Sequence, residues 1–312
     1  MRHEPSSVPY FSMTRAERWL YFHTLDPLLG LWPWPVWRTP AMLIATIRLV
    51  TERYTDSLAR EMLLAVGKPT GGGARLRYRW RLWYAHEAER FLLLQSRKLT
   101  PAWARRHITT TGALPEGGAL LIMPHHACSR VGVLAIAGIA GPLGGITGRP
   151  RDPETFALLD VTLRHVFARG HIFARQAYGE RHFSTQGFAA RNGLRLLREG
   201  GYLVSYLDSD SNAEPTYPLF ERQVTLFTAG TIWLAERSAR PIVPVIVATT
   251  WRGWHLWIGE PITPTDEAIR AAIEARLRLT PECWQLSVAM SWHRAVRSKA
   301  GSTHNGMVSD EG

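Results

Sequence analysis

The chain has 312 residues, of which 46% are hydrophobic and 20% are charged, and this composition is that of a folded globular protein. A formal net charge of +11, carried almost entirely by arginine, indicates an anionic partner such as phospholipid headgroups, a phosphorylated cofactor, an acidic carrier protein or nucleic acid. Two cysteines exclude a disulfide framework of several bridges, and no run of about 18 apolar residues predicts a transmembrane helix.

The N-terminal quarter of the chain has the character of a membrane-interface segment. Residues 27–50 are apolar and rich in tryptophan, but Arg38, Arg48 and four prolines interrupt them. These residues therefore favour an interfacial or re-entrant anchor over a membrane span. Residues 41–66 are predicted to form a helix, and the glycine-rich residues 68–73 a loop.

A strongly basic helix is predicted between residues 75 and 107, where nine Arg and Lys residues face two Glu residues. Apolar side chains recur there at helical spacing, namely Leu76, Trp80, Trp83, Tyr84, Phe91 and Leu94. Two interpretations remain open. The helix lies in the plane of an anionic bilayer, or it packs this stripe on the core of the protein.

Strands and helices alternate from residue 117 onward. Strands are predicted at 118–123, 171–174, 202–207, 242–248 and 254–258, with a further strand end at 146, and helices at 131–140, 157–169, 187–199, 228–237, 266–279 and 282–297. The alternation predicts an α/β fold with a central, mostly parallel sheet flanked by helices, plus an N-terminal helical membrane-associating region. The expected organisation is a membrane-associating region at 1–74, the α/β domain at 75–297 and a disordered tail at 298–312.

A histidine pair, His125 and His126, follows the first buried strand of the predicted sheet. A histidine at the carboxyl end of such a strand can act as a general base, although a structural histidine there is the common alternative. Cys128 lies three residues after His125, so it is either the nucleophile of a Cys–His pair or a small buried residue.

Charged side chains follow two further strand ends. Arg149 can bind a phosphate or a pantetheine-linked group, or it is a surface residue before a rigid turn. Asp208 and Asp210 face the active-site crevice, or they form a turn that caps their strand. The remaining histidines show no metal-ligand spacing, so the sequence predicts neither a metal site nor a cofactor.

Five segments between residues 115 and 297 occur in the order seen in one known family. They are the histidine pair in 124–132, Arg-Pro in 148–153, a Gly-bounded strand ending in Asp-x-Asp at 196–210, Tyr-Pro-Leu-Phe at 217–220, and Pro-Glu with Trp-His-Arg at 280–294. This order resembles the bacterial lipid A biosynthesis (lauroyl/myristoyl-type) acyltransferases of the lysophospholipid acyltransferase superfamily.

The resemblance implies an enzyme on the cytoplasmic face of the bacterial inner membrane, held there peripherally or as a monotopic protein. It implies acyl transfer from an acyl carrier protein or acyl-CoA thioester to a lipid or other acceptor. In the family an acid follows the catalytic histidine after four intervening residues and orients it. Here Arg130 stands at that position counted from His125, and Val131 stands there counted from His126. The altered dyad widens the expected acceptor group from a hydroxyl to a hydroxyl or an amine, because an amine needs less help from a base.

These considerations give a definite set of expectations. His125 is the base, with His126 in reserve, and Asp208 replaces the missing acid if it lies within about 5 Å of a histidine ring nitrogen. Substrate binding is assigned to Arg130, Arg149, Asp210 and Phe220. The alternative is a catalytically weak or inactive relative that binds lipid or acyl carrier protein as a scaffold. Nucleic acid is not an expected partner, because no recognised binding module accompanies the charge.

Overall fold

The computed structural model describes residues 23, 24, 28, 31, 36–95, 98–147, 172–184, 189–208, 216–250 and 252–295. In these residues the labelled helices are α1 (Arg38–Thr51), α2 (Thr55–Ala65), α3 (Gly72–Leu94), α4 (Pro101–His107), α5 (Ser129–Ile139), α6 (Ala189–Arg198), α7 (Ala229–Ser238), α8 (Asp266–Leu279) and α9 (Leu286–Arg294). The strands are β1 (Ile108–Thr111), β2 (Ala119–Met123), β3 (Leu143–Thr147), β4 (His182–Ser184), β5 (Tyr202–Tyr206), β6 (Thr216–Leu219), β7 (Arg222–Thr225), β8 (Ile242–Thr250) and β9 (Gly253–Ile258).

A seven-stranded sheet forms the centre of the molecule, in the order β1-β9-β8-β2-β5-β3-β4. Every neighbouring pair in this sheet is parallel except the β8–β9 hairpin. Strands β6 and β7 form a separate antiparallel hairpin. The predicted α/β fold with a mostly parallel, helix-flanked sheet is therefore confirmed.

The register of the central strands positions the candidate site. All five residues of β2 are buried, as expected for a strand that is paired on both sides and covered on both faces. Met123 of β2 pairs with Tyr206 of β5, so the two strands end side by side. The segments that follow them, which carry His125 and Asp208, leave the sheet at the same edge.

Helix α3 packs its apolar stripe on the core. Trp83, Tyr84 and Phe91 are buried, whereas Leu76 near its N-terminus is 53% exposed. Of the two interpretations of this helix, packing on the core is therefore the one observed for the central part of the stripe. None of the helices in the described part of the chain is both long and apolar enough to cross a membrane.

The single helix predicted at 41–66 is wrong, because the chain turns between α1 and α2. Arg79 of α3 explains the break, since its guanidinium donates to the carbonyl oxygens of Leu49 and Glu52 at 2.8 and 3.2 Å. It also donates to the Thr55 hydroxyl at 2.9 Å. The last carbonyls of α1 and the start of α2 thus bind one buried side chain instead of continuing a helical ladder.

Two other predicted elements differ from the structure. Residues 172–178 are helical rather than a strand at 171–174, and Phe173 and Tyr178 are both buried. A short apolar run does not distinguish the two conformations, and the helical form buries both rings. The helix predicted at 282–297 begins only at Leu286, after a 3₁₀ turn over Pro281–Cys283. The predicted helix 157–169 and the predicted disordered tail lie outside the described residues.

The described N-terminal helices belong to the same hydrophobic cluster as the sheet. Trp37 stacks between Tyr84 and Trp254, with ring centroids 6.4 and 5.1 Å away. Arg48 of α1 pairs with the buried Glu87 of α3 at 2.6 Å. The inner face of α1 is therefore built into the protein, while its outer face remains apolar and exposed at Met42, Leu43, Ile47 and Val50.

Candidate active site

His125 and Asp208 meet at the carboxyl edge of the sheet. The His125 Nδ1 atom lies 2.9 Å from Asp208 Oδ1, and the His125 backbone N–H donates to the same oxygen at 2.7 Å. The carboxylate expected within about 5 Å of a histidine ring nitrogen is thus in direct hydrogen-bonding contact. This contact orients the His125 ring, and the acid comes from the neighbouring strand rather than from position 130.

The Asp208 carboxylate is completely buried and accepts several hydrogen bonds. The Trp284 indole N–H donates to Oδ2 at 2.6 Å, while Oδ1 receives the two donors from His125. Burial raises the pKa of Asp208, but the His125 ring, its charge and the Trp284 N–H outweigh burial and hold the pKa below the ordinary value of 3.8. Asp208 is therefore an anion at neutral pH.

The His125 ring is fixed on one edge and accessible on the other. It stacks on Tyr206 with ring centroids 4.6 Å apart and an angle of 22° between the planes, and its side chain is 34% exposed. Burial lowers the pKa of His125, yet the hydrogen bond and negative charge of Asp208 raise it above 6.5 despite the opposing charge of Arg130. With Nδ1 turned to Asp208, Nε2 points away from the carboxylate and is the atom that can exchange a proton with a substrate.

The segment that carries His125 is clamped to the C-terminal part of the chain. Gln285 N–H donates to the His125 carbonyl at 2.7 Å, and Ala127 N–H donates to the Cys283 carbonyl at 2.6 Å. Cys128 then adopts a left-handed conformation with φ 69° before α5 begins. These contacts fix the backbone on which the imidazole sits.

Arg130 does not face Asp208 but pairs with Glu89 of α3, with 2.7 Å between Nη1 and Oε1. Its side chain is 42% exposed, and its positive charge acts on both His125 and Tyr206. The position of the expected acid is thus filled by a cation whose own counter-ion is Glu89. The arrangement leaves one guanidinium at the rim of the site.

His126 is placed differently from its neighbour. It is 1% exposed, and neither ring nitrogen has a hydrogen-bond partner among the described residues. Burial lowers its pKa to about 4 and outweighs the opposing negative charge of Asp208. A neutral imidazole enclosed in the core cannot contact a substrate. This geometry therefore does not suit the role of reserve base that the sequence suggests for His126.

Phe220 lies away from the histidine. It occupies the β6–β7 turn with φ 47°, its N–H donates to Glu274 of α8 at 2.8 Å, and Arg278 stands over its ring. The ring lines a cleft of about 310 Å³ between α2, this turn, α8 and α9, and the described lining residues of that cleft include neither His125 nor Asp208. The other two predicted substrate-binding residues, Arg149 and Asp210, lie outside the described residues.

The Cys128 thiol is buried between the Thr249 hydroxyl, which is 3.2 Å from Sγ, and the Ala85 carbonyl. Burial raises its pKa well above the ordinary value of 9.0. A protonated, enclosed thiol fits the interpretation of Cys128 as a small buried residue. Among the residues that the structure describes, no group of three or more His, Cys, Asp or Glu side chains could hold a metal ion.

Three residues of the site do not stand out in the sequence. Tyr206 lies two residues before Asp208 at the end of the buried strand, so strand periodicity gives a weak signal for it. Glu89 and Trp284 sit in a basic helix and in a turn far from the histidine in sequence, and no spacing rule links them to it. Their roles depend on tertiary packing.

A scan of the chain against protein-family models finds no match, and a search of the curated proteins finds no similar sequence. The resemblance to acyltransferases therefore rests on the motifs quoted above.

Proposed function

We propose that this protein is a membrane-surface acyltransferase that moves an acyl chain from an acyl carrier protein or acyl-CoA thioester to a hydroxyl or amine acceptor. The contact between His125 Nδ1 and Asp208 Oδ1 carries the proposal. It provides an oriented imidazole on a buried carboxylate, which is the arrangement that general-base catalysis of acyl transfer requires. Asp208 gives His125 a carboxylate partner despite the missing acid at position 130, and this contact favours the enzyme over the inactive scaffold.

The chemistry follows from the orientation of the imidazole. His125 Nε2 accepts the proton of the acceptor O–H or N–H while that oxygen or nitrogen bonds to the thioester carbonyl carbon. Asp208 stabilises the imidazolium that forms. When the tetrahedral intermediate collapses, the carbon–sulfur bond breaks and the departing sulfur takes the proton from His125. The products are the acylated acceptor, a free thiol and neutral His125.

Arg130 is proposed to bind an anionic group of the donor or acceptor. Its half-exposed guanidinium stands at the rim of the site, and guanidinium groups suit phosphate and carboxylate ligands. Glu89 holds it in place without removing it from solvent. Arg149, Asp210 and Phe220 stay predictions of substrate contacts.

The membrane-surface part of the proposal is supported by α1. Its outward side chains Met42, Leu43, Ile47 and Val50 are between 41% and 64% exposed, which is an uncommon density of apolar groups for one face of a helix in water. A net charge of +11 favours an anionic surface. The cytoplasmic face of the bacterial inner membrane, with its anionic lipids, is the location that we propose.

The proposal is tested with purified protein, acyl carrier protein or acyl-CoA donors, and lipid or amine acceptors, with products read by intact mass and thin-layer chromatography. We expect acyl transfer by the wild type and loss of transfer in His125→Ala. His107→Ala, which changes an exposed histidine on α4, is the matched control and should keep activity. A wild type that transfers nothing but binds acyl carrier protein tightly would support the scaffold alternative instead.

A further inference from the structure

We infer that Trp284 is a positioning residue of the site and that it acts through Asp208. The inference rests on the proposed function, because it gives the dyad a third member. The Trp284 side chain makes its hydrogen bond to Asp208 and not to Nε2 of His125. It fixes the carboxylate that fixes His125.

The hydrogen bonds divide the Asp208 carboxylate into two halves. Oδ1 receives the Nδ1 and backbone N–H donors of His125, and Oδ2 receives the Trp284 indole N–H at 2.6 Å. Among the described residues, no other donor to Oδ2 is present. With both oxygens bound, the carboxylate cannot rotate about its χ2 bond without breaking a contact, so the direction of the His125 ring is determined.

Trp284 is itself held by the segment that carries the histidine. Trp284 and His126 form an antiparallel backbone bridge, and the flanking hydrogen bonds join Gln285 to His125 and Ala127 to Cys283. The indole is fully buried and packs beside Trp292, with ring centroids 6.3 Å apart. The indole N–H and the imidazole therefore belong to one rigid unit that closes around Asp208.

An electrostatic consequence distinguishes this role from simple packing. The Trp284 N–H stabilises the Asp208 anion, and its removal leaves Oδ2 buried without a donor. The anion then depends more on the positive charge of protonated His125, so the pair keeps its proton to higher pH. A residue that only fills space would not move this titration.

The first experiment compares Trp284→Phe with Trp292→Phe. Trp292 is the matched control because it is equally buried and its N–H donates to the Leu219 carbonyl at 3.0 Å, not to the dyad. In Trp284→Phe we expect kcat to fall about tenfold to a hundredfold with KM little changed, as for other residues that orient a catalytic ligand. The acidic limb of the rate profile should move to higher pH. Trp292→Phe should keep the wild-type limb.

The second test is a double-mutant cycle. If Trp284 acts through Asp208, adding Trp284→Phe to Asp208→Asn should cost little further activity. Fully additive losses in the double variant would overturn the inference, and so would an unchanged pH profile in Trp284→Phe.

A measurement on the wild type keeps the inference testable if Trp284→Phe fails to fold or if no acyl transfer is found. Proton NMR follows the His125 ring and the indole N–H resonances of Trp284 and Trp292 through a pH titration. We expect the Trp284 N–H to shift with the same midpoint as the His125 ring, while the Trp292 N–H does not. A Trp284 resonance that ignores the titration of His125 would refute the contact, whereas absent transfer with a coupled titration would count against the enzyme alone.

Discussion

At the scale of single residues, the charge balance around His125 sets its proton affinity. Asp208 raises the pKa of His125, while burial and the Arg130 guanidinium lower it. The acid and the cation reach the ring from different elements, since Asp208 follows β5 and Arg130 lies on α5. Each can therefore be replaced separately, and the two replacements should shift the pKa of His125 in opposite directions.

Neutralising Arg130 should make His125 a stronger base. In Arg130→Gln the positive charge near the ring is lost and Glu89 is released from its ion pair, and both changes raise the pKa of His125. We expect the acidic limb of the pH profile of kcat/KM to move to higher pH. We also expect a higher KM for anionic substrates. Arg60→Gln, on the exposed face of α2, should change neither. A limb displaced toward lower pH in Arg130→Gln would contradict this electrostatic account.

At the scale of elements, the sequence predicted those parts of the fold that depend on hydrophobic pattern. The short apolar runs of β2, β5 and β8 alternate with helical segments and therefore indicate strands buried on both faces, and helix 266–279 has the predicted bounds. The corner between α1 and α2 was not predictable, because it depends on Arg79 reaching from a later helix. The late start of α9 likewise depends on pairing with the histidine segment.

The Arg79 corner gives a stability prediction. Arg79→Met keeps the aliphatic stem but removes the guanidinium donor of the Leu49 and Glu52 carbonyls, of which Glu52 keeps the Thr55 hydroxyl as a donor, and we expect a loss of about 1–3 kcal/mol in the free energy of unfolding. Arg81→Met is the control, because Arg81 is 55% exposed in its ion pair with Glu282 and such pairs contribute at most about 1 kcal/mol. Urea denaturation measures both variants. Equal losses would show that the corner does not depend on Arg79.

The sequence brings together only part of the candidate site. Strand ends gave His125 and Asp208, since the carboxyl ends of parallel strands meet at one edge of a sheet. Trp284 could not be found, because its N–H reaches Asp208 only after the 3₁₀ turn and the bridge to His126 have formed. The sequence places Arg130 where the resembling family has an acid, but its pairing with Glu89 depends on the packing of α5 near α3.

At the scale of the whole molecule, the proposed membrane association uses two features, the basic charge and the exposed apolar face of α1. In this proposal the net charge of +11 attracts the protein to an anionic surface, and the outer face of α1 then buries its side chains among the lipids. If charge and apolar contact act in this way, ionic strength should control how readily the protein approaches the membrane, and the apolar side chains should control how long it stays bound.

Vesicle sedimentation tests the second part. Leu43→Ser combined with Ile47→Ser should weaken binding to vesicles that contain anionic lipid by roughly a hundredfold or more, because each buried side chain contributes about 1.5–3 kcal/mol and the two together about 3–6 kcal/mol. Leu279→Ser is the control, since Leu279 is 54% exposed on α8. Weakening of the same size in the control would show that general surface hydrophobicity, not the α1 face, holds the protein on the membrane.

The pH dependence of kcat/KM for acyl transfer, measured for the wild type and Asp208→Asn, tests the pairing of His125 with Asp208 most directly. In the wild type, activity should rise with pH through a midpoint above 6.5, because the raised pKa of His125 keeps the base protonated below it. In Asp208→Asn the midpoint should move to lower pH, because burial and Arg130 then act unopposed, and the rate on the plateau should fall roughly 10²- to 10⁴-fold. A variant with the wild-type rate and midpoint would contradict the account.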